Sequence, residues 1–209
     1  MATERPELIV KDVAAWRKWL QDHRDSDGVR LVLAKKGTEE PTRLVHREAL
    51  EEALCHGWID GQAGTRDGGT WRVLFTPRRR QSTWSKRNVE LAERLLAQGR
   101  MDAAGIAEME RAKVDGRYAA AYAGSATIEV PSDLAAALGA NPTAAATFAS
   151  LNSRNRYAIL FRLATTRRAE TRARRLEQFV EMLGRGDTVY PQGHTASPGV
   201  PPDDSTVAD

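Results

Sequence analysis

The chain has 209 residues, of which 41% are hydrophobic and 28% charged, with a formal net charge of +3. That supplies one large domain or two small ones with a real core. No apolar run reaches the length of a membrane-spanning helix, and Met1 to Glu7 contain no apolar leader. The single cysteine, Cys55, excludes a disulfide framework and a multi-cysteine zinc site. These features are the ones expected of a protein of the reducing cytoplasm, with no membrane insertion.

In chain order, Asp12 to Asp22 predicts a short helix, with Trp16, Trp19 and Leu20 at helical spacing and therefore in a core. Val29 to Leu33 reads as a strand. His46 to Cys55 reads as a helix with Leu50, Ala53 and Leu54 on one face, stopped by Gly57. Trp58 to Asp60 is a short strand or extended turn. Thr70 to Phe75 alternates as a strand, and the Gly-rich segment 61–69 reads as the connection between them.

From Pro77 the pattern turns helical. Ser82 or Thr83 caps a helix that runs to Gln98, and Ala103 to Val114 forms a second. Pro131 and Pro142 break an alanine-rich stretch into short helices. Tyr157, Leu160, Phe161 and Ala164 mark the apolar face of another helix, and Leu176, Phe179, Val180 and Leu183 that of the last. Residues 187–209 combine proline, glycine and acid with little to bury, which predicts a disordered tail. The expected fold is α+β: a small N-terminal antiparallel or mixed sheet with helices over 1–80, then a mostly helical part over 81–186 packed with the first as one unit.

Three stretches carry chemistry-bearing residues. Cys55-His56-Gly57-Trp58-Ile59-Asp60 places a thiol, an imidazole and a carboxylate close in sequence. Adjacent residues on a helix point about 100° apart, so Cys55 and His56 do not face each other, and Cys55 reads as structural. The other histidines, His23, His46 and His194, offer no helical ligand spacing with His56, so no metal is expected. Phe75 to Asn88 leads a strand through Arg78, Arg79 and Arg80 into a helix N-terminus bearing Ser85 and Lys86. Unpaired helix N–H groups and arginines together suit an anion. Asn88 shares a helical stripe with Trp84, Leu91 and Leu95, where its amide needs partners. Finally, Thr165 to Arg175 sets Arg168, Arg172 and Arg175 on one helical edge. Direct nucleic-acid binding is disfavoured there, because few aromatics accompany the basic residues and no helix-turn-helix, RRM or zinc-finger pattern appears.

Together these stretches resemble the YdeI/OmpD-associated, or bacteriocin-protection, family. The resemblance rests on Ala53-Leu54-Cys55-x-Gly57-Trp58-Ile59-Asp60-Gly61, on Phe75-Thr76-Pro77-Arg78 with Trp84-Ser85-Lys86-x-Asn88, and on Gly99-Arg100-Met101 with Ala104-Gly105. It continues through Ala112-Lys113-x-Asp115-Gly116-Arg117-Tyr118, Val130-Pro131-x-Asp133-Leu134 and Glu170-Thr171-Arg172-x-x-Arg175, covering residues 12 to 184. His56 stands where the family usually carries an aromatic residue, which marks a packing position. Arg167 stands where it often carries lysine. The resemblance implies a protective or stress-resistance role rather than a defined reaction.

The expected function is therefore a cytoplasmic protein that binds a small molecule or peptide without catalysis and without a cofactor. Its expected ligand-binding residues are Trp58, Asp60, Arg78, Trp84, Ser85, Lys86 and Asn88, lining a cleft walled by Trp58 and Trp84. Arg167, Thr171 and Arg172 are a further candidate anion site. Two alternatives belong to other classes: an enzyme using Asp60, Lys86 and Arg78, and a basic nucleic-acid-associated protein.

Overall fold

A computed structural model describes residues 5–192 and divides after Gly124 into two units built on different plans. The first contains β1 (Glu7–Leu8), α1 (Val13–Asp22), β2 (Val29–Ala34), α2 (His46–Cys55), β3 (Trp58–Thr65), β4 (Thr70–Pro77), α3 (Lys86–Ala97) and α4 (Ala103–Val114). The sheet order is β1-β2-β4-β3; β1 runs parallel to β2, and the other pairs are antiparallel. The sheet is therefore mixed, as expected for the α+β class.

The register puts Val29 opposite Phe75 and Leu31 opposite Val73, so apolar side chains share one face. Against that face pack Trp16 and Leu20 of α1, Ala49 and Ala53 of α2, and Trp58 of β3. Trp16 stacks on Trp19 and meets Trp58 and Phe75 edge-on. Its indole N–H donates to the Ala49 carbonyl at 3.1 Å, so the largest ring of this core buries no unsatisfied polar group.

The opposite side of α2 supports a second core. Leu50, Leu54 and Cys55 meet Trp84, then Leu91, Ala92 and Leu95 of α3 and Met109 and Ala112 of α4. This is why the chain divides at Gly124 and not at residue 80: α3 and α4 cover α2 and stay with the sheet. Arg17 and Arg100 close on the buried Glu52 of α2 from two directions. Burial pushes that carboxyl up, but the two guanidinium hydrogen bonds outweigh it and hold Glu52 below its ordinary range.

Two local expectations change. The Gly-rich run 61–69 is not a connection: β3 continues to Thr65, with a bulge between Asp60 and Ala63, and only 66–69 form the turn. Asp67 makes that short turn work by accepting from the backbone N–H groups of Gly69 and Thr70. The cap of α3 is Ser85, which accepts from Asn88 N–H, and neither Ser82 nor Thr83. Ser82 is occupied with the N–H of Arg79, and Ser85 is held extended by Tyr122, which bonds the Trp84 carbonyl and the Lys86 N–H on either side of it.

The second unit holds α5 (Ser132–Gly139), α6 (Pro142–Ser150), α7 (Ser153–Ala164) and α8 (Ala169–Gly184). Asn141 and Asn152 cap α6 and α7. The core joins Leu134, Leu138, Phe148, Ile159, Leu160, Leu163, Phe179 and Leu183. On α7 only Leu160 of the expected apolar face is buried; Ile159 and Leu163 complete the core side. Tyr157 and Phe161 instead line an open pocket of about 470 Å³ with Arg154, Arg162 and Tyr190.

The chain stays attached past the expected start of the tail. Asn155 is fully buried, accepts from Tyr190 N–H, and donates to the Tyr190 carbonyl and to Gln192. The rest of the predicted tail, 193–209, lies outside the described residues.

Candidate functional site

The loop between β4 and α3 gathers the most unusual side chains of the first unit. Arg78 N–H donates to the Gly57 carbonyl at 2.9 Å, which carries the β3–β4 pairing one step past Pro77 and turns the Arg78 side chain into the protein. Only 6% of Arg78 is exposed. Its guanidinium lies over Trp84, with Cζ 3.6 Å from the ring centroid. Nη1 donates to the Thr83 carbonyl at 3.2 Å. Nε and Nη2 are buried and meet no acceptor.

Trp84 is 2% exposed and meets both Arg78 and Tyr118, the latter edge-on at 5.2 Å. Its indole N–H also lacks an acceptor. Arg117 approaches the same loop from the turn after α4. Its Nη1 donates to the Ser82 carbonyl at 2.9 Å and to Glu108, and its Nε to Asp115; its Nη2 is buried without a partner. Two guanidiniums thus rest on consecutive carbonyls, Ser82 and Thr83. Burial pushes Arg78 down to about 10, and the neighbouring Arg117 charge acts the same way; Tyr122 and Asp60 oppose it.

Tyr122 closes the loop. Its N–H donates to the Trp84 carbonyl and its carbonyl accepts from Lys86 N–H, a two-bond bridge around Ser85. Burial raises its phenol above the ordinary range, as does the Asp60 carboxylate, while Arg78 and a hydrogen bond with Ser85 oppose the rise. Asp60 itself sits on β3 with Oδ2 3.0 Å from Nε2 of His46, whose ring packs against Trp71 and Phe75.

Arg78, Trp84 and Ser85 are therefore brought together, with Asp60 close enough to act through its charge. Trp58 is placed elsewhere: it belongs to the core of Trp16 and Trp19, so the expected pair of facing tryptophan walls does not form. Lys86 is exposed on the first turn of α3, and Asn88 lies on that helix's buried side. Sequence reasoning assigned no role to Arg117, Tyr122 or His46. Arg117 stood inside a quoted motif, but nothing local shows that the turn after α4 returns to Trp84.

The Cys55–His56–Asp60 stretch is not a nucleophilic set. Cys55 is 1% exposed, and burial with the Glu52 charge pushes its thiol up to about 11. His56 turns to Asp102, at 3.9 Å, and Asp60 to His46.

The second candidate anion site is corrected by its own contacts. Arg172 places Nε and Nη2 on the two oxygens of Asp133, each at 2.9 Å, and Nη1 on the Leu163 carbonyl. It ties α5, the end of α7 and α8 together, leaving no free fork for an anion. Arg167 is exposed and Thr171 half-buried.

Residues 127–186 match the family model described as Bacteriocin-protection, YdeI or OmpD-Associated. Residues 8–108 match a different model, described as a domain of unknown function. No curated protein and no solved structure matches the chain. The motifs around Asp133 and Arg172 fall within the first match, and the bidentate pair between them is what those motifs build. The motifs from Ala53 to Asn88 fall within the second, so the resemblance to the protection family is carried by the second unit.

Proposed function

We propose that this chain, whose second unit carries the bacteriocin-protection match, is a cytoplasmic protection protein that binds a small molecule or peptide without catalysing a reaction. The binding junction is the β4–α3 loop, with Arg78, Trp84 and Ser85 at its centre and Asp60 beside it. The observation that carries this reading is Arg78. A buried cation with two N–H groups lacking acceptors is costly, by several kcal/mol for a charge removed from water without compensation. The Trp84 face and the Thr83 carbonyl offset part of that cost, and a ligand offsets more.

A binding role is favoured over a catalytic one by the surrounding groups. Lys86 points into solvent, Asp60 is engaged by His46, and the Cys55 thiol is held protonated in the core.

The test is a panel of toxic small molecules and peptides titrated against the full chain, read by tryptophan fluorescence and paired with survival of cells that express it. Arg78→Met is expected to lose both binding and protection. Unchanged protection by a folded Arg78→Met variant overturns the reading.

A further inference from the structure

The two unpartnered nitrogens of Arg78 are not an arbitrary pair. Nε–H and one N–H of Nη2 point in the same direction from one edge of the guanidinium, the arrangement that meets both oxygens of a carboxylate or phosphate. Everything else about the group is fixed. Trp84 holds its Cζ at 3.6 Å from the ring centroid, and Thr83 holds the opposite nitrogen, Nη1. An arginine fastened by its face and far nitrogen, with its side fork left without an acceptor, is organised in advance for an oxyanion. Arg172 of the other candidate site has no counterpart to this; its fork is filled by Asp133.

Charge narrows the class. Arg117 brings a second guanidinium with a free Nη2, but Asp115 and Glu108 already accept from it. Asp60 acts on Arg78 with negative charge from the β3 side. Arg117 is thus matched by carboxylates and Asp60 lies beside Arg78, so the junction holds no cationic surplus beyond the charge of Arg78 itself, which suits a monoanion and disfavours a dianion. We infer that the ligand of this junction presents a monoanionic carboxylate, gripped by the Nε–Nη2 edge of Arg78. The inference rests on the reading of the junction as a ligand site.

Both nitrogens are shielded from solvent, so access requires a covering segment to yield. The segment after α4 lies over this loop. Arg117 reaches Ser82, Tyr118 lies against Trp84, and Tyr122 pairs with Trp84 and Lys86 through two backbone hydrogen bonds. Binding therefore displaces the Tyr122 bridge, and the Lys86 N–H it covers becomes free.

The experiment uses the full chain, labelled with nitrogen-15, and benzoate as the probe. The Nε–H resonance of Arg78, assigned by its loss in Arg78→Lys, is expected to shift saturably with benzoate. The Trp84 indole N–H should follow the same curve. Chloride at equal ionic strength should move neither, and inorganic phosphate should bind more weakly than benzoate. Arg78→Lys keeps the charge and removes the fork, so it should weaken benzoate by about tenfold or more, the worth of one charged hydrogen bond. A benzoate response no larger than that of chloride overturns the inference, and so does tighter binding of phosphate. Wild-type affinity in Arg78→Lys overturns the fork. If that variant does not fold, the Nε–H resonance is assigned by through-bond correlation in the wild type labelled with carbon-13 and nitrogen-15, and its titration decides alone. Protection that depends on Arg78 without any benzoate binding sinks this inference and leaves the proposed function standing; benzoate binding without protection does the reverse.

Discussion

A Cβ built on Gly105 would stand 2.2 Å from the carbonyl oxygen of Cys55, closer than two such atoms can approach. The first turn of α4 therefore crosses the end of α2 backbone to backbone, and Asp102 N–H donates to the same Cys55 carbonyl at 3.0 Å. Glycine inside a helix ordinarily costs about 1 kcal/mol relative to alanine. Here the contact reverses that preference. Gly105→Ala should lose about 1–3 kcal/mol, the usual cost of overpacking, by urea unfolding. Gly139→Ala, at a glycine with nothing within 4 Å of its Cβ position, is the control and should not lose stability.

His56 gives the fold a pH dependence. Burial pushes its imidazole below the ordinary value, and the Asp102 charge only partly offsets this. In the unfolded chain the same histidine titrates near 6.5, at about its model-peptide value. Above that pH both states are neutral and the group contributes nothing. As pH falls through it, the unfolded state takes up a proton first, so stability should decline. Unfolding midpoints measured between about pH 7.5 and 5.5 should fall for the wild type. They should stay flatter for His56→Phe, which keeps an aromatic ring and removes the titration.

Arg172 and Asp133 should behave as a coupled structural pair. Both are partly exposed, so their ion pair is worth about 1 kcal/mol or less, helped by its two-point geometry. Arg172→Ala should cost more than Asp133→Asn, because it also abandons the Leu163 carbonyl at the end of α7. A double-mutant cycle should show coupling between the two positions, and Arg167→Ala should be neutral. Additive losses would show that the pair does not hold the second unit together.

Asn155→Ala should release residues 187–192. It removes the acceptor for Tyr190 N–H and the donor to Tyr190 and Gln192 in one change, with a loss of about 1–3 kcal/mol. Truncation after Gly186 deletes the same contacts from the other side. The two changes together should therefore cost little more than either alone.

Legibility in the sequence followed the range of the interactions. The helix His46–Cys55 and the helix Ala103–Val114 were readable because their apolar spacing and stop signals are local. Asp12 was readable as the start of α1 because its carboxylate accepts from the Ala15 N–H only three residues on. The start of α3 was misplaced because Tyr122, far along the chain, holds Ser85 extended by bonding the residues on either side of it. The strand β3 was cut short because Gly61 and Gly64 read as a loop, whereas pairing with β4 decides the matter. At the candidate site the arginine-rich loop was legible, and so was Trp84. The partner Arg117 was not, nor was the choice of Trp58 for the Trp16 core, since each depends on which helix covers which face.

The bulge between Asp60 and Ala63 has a consequence beyond the site it flanks. β3 is the outer strand beyond β4, eight residues long, with β4 on one side only. A straight strand of that length would offer a neighbouring molecule a regular row of amide and carbonyl groups. The extra residue breaks that row and increases the local twist, so an incoming strand cannot stay in register across it. Deleting Gln62 would restore the two-residue repeat, straighten the rim of the sheet, and convert a self-limiting border into a template for strand-by-strand association.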